Sequence, residues 1–212
     1  MRSGWGLSLW IAGVLLFEFL VVWLLLPLSW ITWWLDQERY LVWTGLGPDI
    51  GAWIDVFGRD LYQLLAVRTG LEAELTAFIQ ELTLRGQQST GTARMASDFQ
   101  AWWLHRLTVL LSIILIGAKR AGMIAAWAPF GVLALALAVG DGALVWRRRL
   151  WSFKYQSPLV HRAGRVIAGL GLLLLLALIW MPLPIHPYWT PTLFSLSLIG
   201  VYLMMRSAQK RL

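Results

Sequence analysis

The sequence has 212 residues, of which 58% are hydrophobic and only 14% are charged, with a formal net charge of +7. An ordinary soluble domain is about half apolar and about a quarter charged, so this composition favours an integral membrane protein. The sequence contains no cysteine, which excludes disulfides, zinc–thiolate sites, iron–sulfur clusters and cysteine nucleophiles. Many of its 15 tryptophans cluster at the ends of apolar runs, where aromatic rings lie at the level of the lipid headgroups.

The first predicted element is a transmembrane helix from about Leu7 to Leu28, which closes at Pro27. Its apolar stretch is too long for a cleaved signal peptide, so residues 1–35 are predicted to be an N-terminal signal anchor. The only acidic side chain of this segment is Glu18. An intramembrane carboxyl group is costly, and Glu18 is therefore either functional, as in a proton relay, or a helix-paired residue that fixes assembly.

Residues 36–100 have a different character, because nine of the eleven acidic residues of the chain occur there. Apolar side chains recur at three-and-four spacing over residues 53–65 and 71–82, which predicts two amphipathic helices separated at Thr69-Gly70. The polar segment Arg85–Arg94 predicts a loop. The segment is predicted to be a small helical extramembrane module that leans on the membrane or on a partner.

Residues 101–212 are predicted to form a membrane bundle. Apolar runs on both sides of Lys119-Arg120 fit either one long helix or a two-helix hairpin, and Pro129 is expected to bend the second run or break its packing. Two further spans are predicted near Val166–Trp180 and Trp189–Met205, joined by a proline-rich turn. The predicted fold class is all-α, a polytopic transmembrane helical bundle with four spans, five being the alternative.

The basic residues predict the orientation of the chain. Residues 146–165 form a predicted loop with six positive charges and no acid, and the C-terminal tail is also basic. The positive-inside rule places both in the cytoplasm. With four spans the N-terminus is then also inside, and the 36–100 module lies in the periplasm. Five spans would put the N-terminus outside and the module inside.

The predicted loop and the residues just before it form the candidate docking surface for a partner or for lipid. Arginine interleaved with aromatic residues binds nucleic acid in some proteins. Immediately beside a span the same pattern binds anionic headgroups, so direct nucleic-acid binding is not expected. Asp141 is expected to form a salt link with an arginine of this surface, and His161 to make a loop or headgroup contact. The candidate residues are Asp141, Gly142, Arg147, Arg148, Arg149, Lys154, His161, Arg162 and Arg165.

The sequence carries no motif of a known catalytic site. It has no Walker-type phosphate loop, no HExxH pair and no nucleophile elbow, and each of these chemistries depends on its residues at a fixed spacing. The three histidines are isolated from one another in sequence. We therefore expect no catalytic residue, no metal, no cofactor and no enzymatic activity.

The second half of the sequence resembles a known family. Arg120 precedes an apolar run that contains Pro129 and leads to Asp141-Gly142, followed by Arg147–Arg149 and the turn from Ser157 to Ala163. This order is similar to that of the integrating conjugative element membrane protein family, a domain-of-unknown-function group of conjugative elements and plasmids. A proline-rich turn with a histidine and a basic C-terminus also fit.

The resemblance implies a component of a conjugative type IV secretion system in the bacterial inner membrane, accessory to the coupling ATPase and without catalytic activity. Its expected partners are the lipid bilayer and other membrane proteins of the conjugation machinery, and a homo-oligomer stays open. Two alternatives come from other classes of function. One is a small transporter or ion-translocating subunit that uses Glu18, and the other is an entry-exclusion protein that binds a partner through the 36–100 module.

Overall fold

The computed structural model describes residues 5–88, 93–150 and 158–207. Over these ranges the protein is helical and contains no strand, which confirms the predicted all-α class. A π-helical turn, Gln63–Val67, extends the third helix. The α-helices are α1 (Trp5–Leu25), α2 (Leu28–Leu46), α3 (Pro48–Tyr62), α4 (Leu71–Gln88), α5 (Ala93–Leu150), α6 (Pro158–Ala177) and α7 (Trp189–Arg206).

The first helix ends close to where the sequence predicts, because Pro27 cannot donate a backbone hydrogen bond. The chain bends there by 116° and continues as α2. The carbonyl of Pro27 accepts the first hydrogen bonds of α2, from the N–H groups of Trp30 and Ile31. The predicted boundary at residue 35 therefore falls inside a continuous helix.

Two glycines with positive φ separate the helices of the following segment. Gly47 (φ 87°) divides α2 from α3, and Gly70 (φ 79°) divides the π-helical turn from α4, as the Thr69-Gly70 pair predicts. Across the second turn the Tyr62 hydroxyl donates to Glu72 at 3.2 Å. Burial and the negative charge of Glu72 raise the pKa of Tyr62 above its ordinary value. The segment is thus a chain of short helices linked by glycine turns.

Residues 102–145 were predicted to form either one long helix or a two-helix hairpin, and they form the long helix α5. It runs without interruption through Lys119-Arg120 and through Pro129, so the two-helix hairpin is not formed. Its 58 residues span about 87 Å at 1.5 Å per residue, far more than the about 30 Å of a hydrocarbon core. Only part of α5 can therefore lie within a bilayer.

Two of the described helical segments are long and apolar enough to cross a membrane, Ala101–Arg148 of α5 and Pro158–Ala177. A third is added if the bent pair of α1 and α2 is counted as one broken span. These apolar helices are consistent with membrane association, while the four-span bundle stays a prediction.

The chain divides into two compact units. The first comprises the described residues up to Gly122 together with Ile179–Ile185, and the second comprises the remainder. The core of the first unit joins Ile31 and Trp34 of α2 to Val109, Ile113 and Ile116 of α5. The apolar run before Lys119 is thus explained by helix packing and does not require a separate span.

The second unit is built on a close contact between α6 and α7. A Cβ atom at Gly164 would lie 2.8 Å from the carbonyl oxygen of Gly200, and one at Gly171 would lie 2.9 Å from the backbone nitrogen of Ser197. Small residues at such positions let two backbones touch, which is the common way for helices to associate in lipid.

Candidate functional site

A buried polar site in the first unit surrounds Arg120 of α5, whose exposed fraction is 0%. Its guanidinium faces Glu38 of α2. Nε lies 2.9 Å from Oε1 and 3.1 Å from Oε2 of Glu38, and Nη2 lies 2.7 Å from Oε2. Such a forked pair is the strongest arrangement of arginine and carboxylate. It neutralises both charges where the Arg120 side chain is fully buried and the Glu38 side chain is 11% exposed.

The same guanidinium also binds the proline-rich segment that follows α6. Nη1 donates to the carbonyl of Met181 at 2.7 Å, and Nη2 donates to the carbonyl of Leu183 at 2.6 Å. Prolines interrupt this segment and remove N–H donors, so its carbonyls need partners from elsewhere in the chain. Arg120 supplies two of them, and thereby holds the segment against α2 and α5.

Trp34 completes the site from one turn before Glu38. Its indole Nε1 donates to Oε2 of Glu38 at 2.8 Å, and the Arg120 guanidinium carbon lies 4.6 Å from the centre of its ring. An arginine at this distance is attracted to the face of the ring. We call Arg120, Glu38, Trp34 and the carbonyls of Met181 and Leu183 the Arg120 centre.

The contacts of the Arg120 centre hold α2, α5 and the segment after α6 together. An arginine guanidinium stays protonated in proteins, and both oxygens of Glu38 already accept hydrogen bonds. The carboxylate is thus bound to Trp34 and to the Arg120 guanidinium. The described ranges also contain no group of three or more histidine or carboxylate side chains placed to hold a metal ion.

A second set of contacts supports the break between α1 and α2. Nη1 of Arg106 donates to the carbonyls of Trp23 and Leu26 at 3.0 and 2.8 Å. In return, the Trp23 indole donates to the carbonyl of Arg106 at 2.9 Å, and Nε2 of His105 accepts the N–H of Leu28 at 3.1 Å. Helix ends leave such backbone groups without hydrogen-bond partners. Side chains of α5 supply those partners at the bend between α1 and α2.

Comparison with known proteins assigns the chain to a family. A family model described as "IncC plasmid conjugative DNA transfer protein DtrJ-like" matches residues 46–209, which is most of the chain. The chain belongs to the DtrJ-like family. No curated protein and no solved structure matches the chain. Membership confirms the relation to conjugative DNA transfer that the resemblance implied, while the assignment to integrating elements stays a prediction.

The residues predicted as a docking surface lie in the second unit of this DtrJ-like protein. Several of them belong to helices and not to the predicted loop. Arg147 and Arg148 are exposed on the last turns of α5, and Arg162 and Arg165 are exposed on the first turns of α6. Arginine is a good helix former and proline is favoured in the first turn of a helix. The helices therefore extend into the basic segment from both sides, as far as Leu150 and from Pro158.

Other predicted residues of this surface have different surroundings. Asp141 is exposed, and among the described residues it forms no ion pair. Arg148 lies two turns further along α5, about 10 Å away along the helix axis, which is too far for a direct link. Gly142 is buried against Met205. The ring nitrogen Nδ1 of His161 lies 3.1 Å from the carbonyl oxygen of Met204, so His161 contacts α7.

Three predicted residues fall outside the described part of the chain in whole or in part. Lys154 lies in the undescribed segment, and the side chain of Arg149 is not among those described. Glu18 lies in α1, but its side chain is likewise outside the description. The roles proposed for these residues stay predictions.

The sequence alone does not reveal the Arg120 centre. The resemblance places Arg120 at the first position of a motif, and Glu38 is one of nine acids in residues 36–100. A usable signal was present, since a charged residue within an apolar helical run needs a partner. The sequence gives no means of choosing that partner, because Glu38, Arg120 and Leu183 are far apart along the chain.

Proposed function

We propose that this protein is a non-enzymatic inner-membrane component of conjugative DNA transfer and acts beside the coupling ATPase of a type IV secretion system. The observation that carries the proposal is the family match over residues 46–209. The composition and the long apolar helices support a place in the membrane. The Arg120 centre supports the non-enzymatic part, because its polar atoms bind one another.

The proposed contact with the ATPase is the basic end of α5 and the start of α6. Arg147, Arg148, Arg162 and Arg165 are exposed, and among the described residues no carboxylate is paired with them. Exposed arginines without internal partners are available to an acidic surface of a protein or to anionic headgroups. On the predicted orientation this surface faces the cytoplasm, where the coupling ATPase acts.

The test is co-purification of the coupling ATPase with the full-length protein carrying Arg147→Glu and Arg148→Glu. Each exposed ion pair contributes about 0.2–1 kcal/mol, so losing two is expected to weaken capture by up to about thirtyfold. Capture should also fall with increasing salt.

The matched control carries Arg147→Lys and Arg148→Lys, which keeps the positive charge and with it the orientation signal. It should retain most of the capture. A reporter fused after residue 206 must show the same orientation in both variants. Undiminished capture by the Glu variant, at normal membrane level and orientation, would contradict docking through this surface.

A further inference from the structure

A cleft of about 300 Å³ lies between α2, α3 and α5 in the first unit. Its polar lining consists of Arg39, Arg59, Lys119 and Asp55, and Trp43 and Val56 line its apolar part. Three cations face one carboxylate, so the lining carries an excess of two positive charges. The cleft is separate from the Arg120 centre and from the docking surface proposed above.

Asp55 holds two of the cations in place without exhausting their donors. Lys119 Nζ lies 2.8 Å from Oδ1, and Arg39 Nε lies 3.5 Å from Oδ2. The Arg39 guanidinium carbon also lies 5.4 Å from the centre of the Trp43 ring. Lysine has three donors and arginine five, so most of their N–H groups remain for a ligand.

Arg59 and the backbone around it complete the arrangement. Among the described residues no carboxylate pairs with Arg59. Gly58 brings α3 against α5, because a Cβ atom there would lie 2.9 Å from Cα of Lys119. The close approach places Arg59, which none of the described carboxylates neutralises, beside the lysine that Asp55 holds. The site thus has room, converging donors and an excess of positive charge on its lining.

We propose that this cleft binds the phosphate group of an anionic lipid. The excess of two positive charges on its lining suits the negative charge of a lipid phosphate. Trp43, Trp53 and Val56 are exposed beside it, as expected for side chains that meet the interface.

The apolar rim favours a lipid over a free phosphate ion. A free ion would use the basic side chains alone, whereas a phospholipid also places its glycerol and upper acyl chains against tryptophan and valine. Basic pockets between helices at membrane faces bind anionic headgroups by this combination of charge and apolar contact.

The experiment is native mass spectrometry of the purified full-length protein, titrated with phosphatidylglycerol and separately with phosphatidylcholine. Phosphatidylglycerol should bind more tightly. Arg59→Gln should weaken its binding about tenfold, because a hydrogen bond between charged groups is lost. The matched control is Arg68→Gln, which removes one exposed charge from outside the cleft and should leave binding unchanged.

Asp55→Asn should change the affinity for phosphatidylglycerol in the opposite direction. Removing the competing carboxylate should tighten phosphatidylglycerol binding, provided that thermal unfolding shows the variant to be folded. If the variant is unfolded, the comparison of the Arg59 and Arg68 variants tests the proposal without it.

Equal affinity for the two lipids, or equal loss in the Arg59 and Arg68 variants, would overturn the proposal. Displacement of the lipid by inorganic phosphate at the same concentration would show a free-anion site. Displacement by a poly-glutamate peptide at lower concentration would show a protein-binding site, and either result would overturn the assignment to lipid. The measurement uses purified protein, so its outcome is independent of the proposed role in conjugation.

Discussion

Replacing Arg120 by methionine should lower the free energy of unfolding by about 3–5 kcal/mol. Methionine fills much of the same volume, but it leaves the carboxylate of Glu38 buried without its cation. The carbonyls of Met181 and Leu183 lose their donors as well. Thermal unfolding of the protein in detergent would show the loss as a lower midpoint. Arg120→Lys should recover only part of the stability, because an ammonium group lacks the planar fork.

The matched control for this prediction removes both charges. A protein carrying Glu38→Leu and Arg120→Met should be more stable than the Arg120→Met protein, since an unpaired buried charge costs more than the loss of a whole pair. Two carbonyls still lack donors, so stability should not return fully. Equal or lower stability of the double variant would contradict the explanation that the unpaired Glu38 carboxylate destabilises the Arg120→Met protein.

The second large effect is expected at Gly200, where α6 and α7 meet. A Cβ atom there would clash with the backbone nitrogen of Ala168 and would lie 2.7 Å from Cα of Ala168 and from the carbonyl oxygen of Gly164. These neighbours are backbone atoms and cannot move aside without separating the helices. Gly200→Ala should therefore destabilise the second unit by about 1–3 kcal/mol, a typical cost of overpacking.

Gly169→Ala is the control, because it makes the same chemical change on α6 where no atom lies within 4 Å of the added Cβ. Alanine is a better helix former than glycine, so this variant should be slightly more stable than the original protein. Thermal unfolding in detergent compares the two variants directly. Similar midpoints would contradict the close contact between α6 and α7.

Local signals in the sequence predicted much of the helical layout. Pro27 marked the end of the first helix, Gly70 marked a turn, and the proline-rich segment marked the end of α6. Each depends on the backbone chemistry of one or two residues, which the sequence states directly. Amphipathic spacing likewise predicted helices within residues 36–100.

The helix boundaries near the basic segment were harder to predict. The cluster of basic residues predicts a loop over residues 146–165, but arginine is also compatible with a helix end, and Pro158 with a helix start. The continuity of α5 through Lys119-Arg120 also could not be read from hydropathy. It depends on partners for both side chains, Asp55 for the lysine and Glu38 for the arginine.

The Arg120 centre could not be predicted from the sequence for a related reason. It joins residues from α2, from α5 and from the segment after α6. Nothing in spacing or composition tells which of several acids lies opposite a given arginine. Only the packing of Trp34 against α5, one turn from Glu38, makes that choice, and such packing is a property of the folded chain.

The proposed role beside the coupling ATPase requires the protein in the donor cell, where that ATPase acts. Its most direct test is the transfer frequency from donors in which the gene is deleted. We predict a lower frequency that is restored by a second copy in the donor and is unaffected by a copy in the recipient. Unchanged transfer from the deleted donor, or an effect seen only when the recipient carries the protein, would contradict the claim.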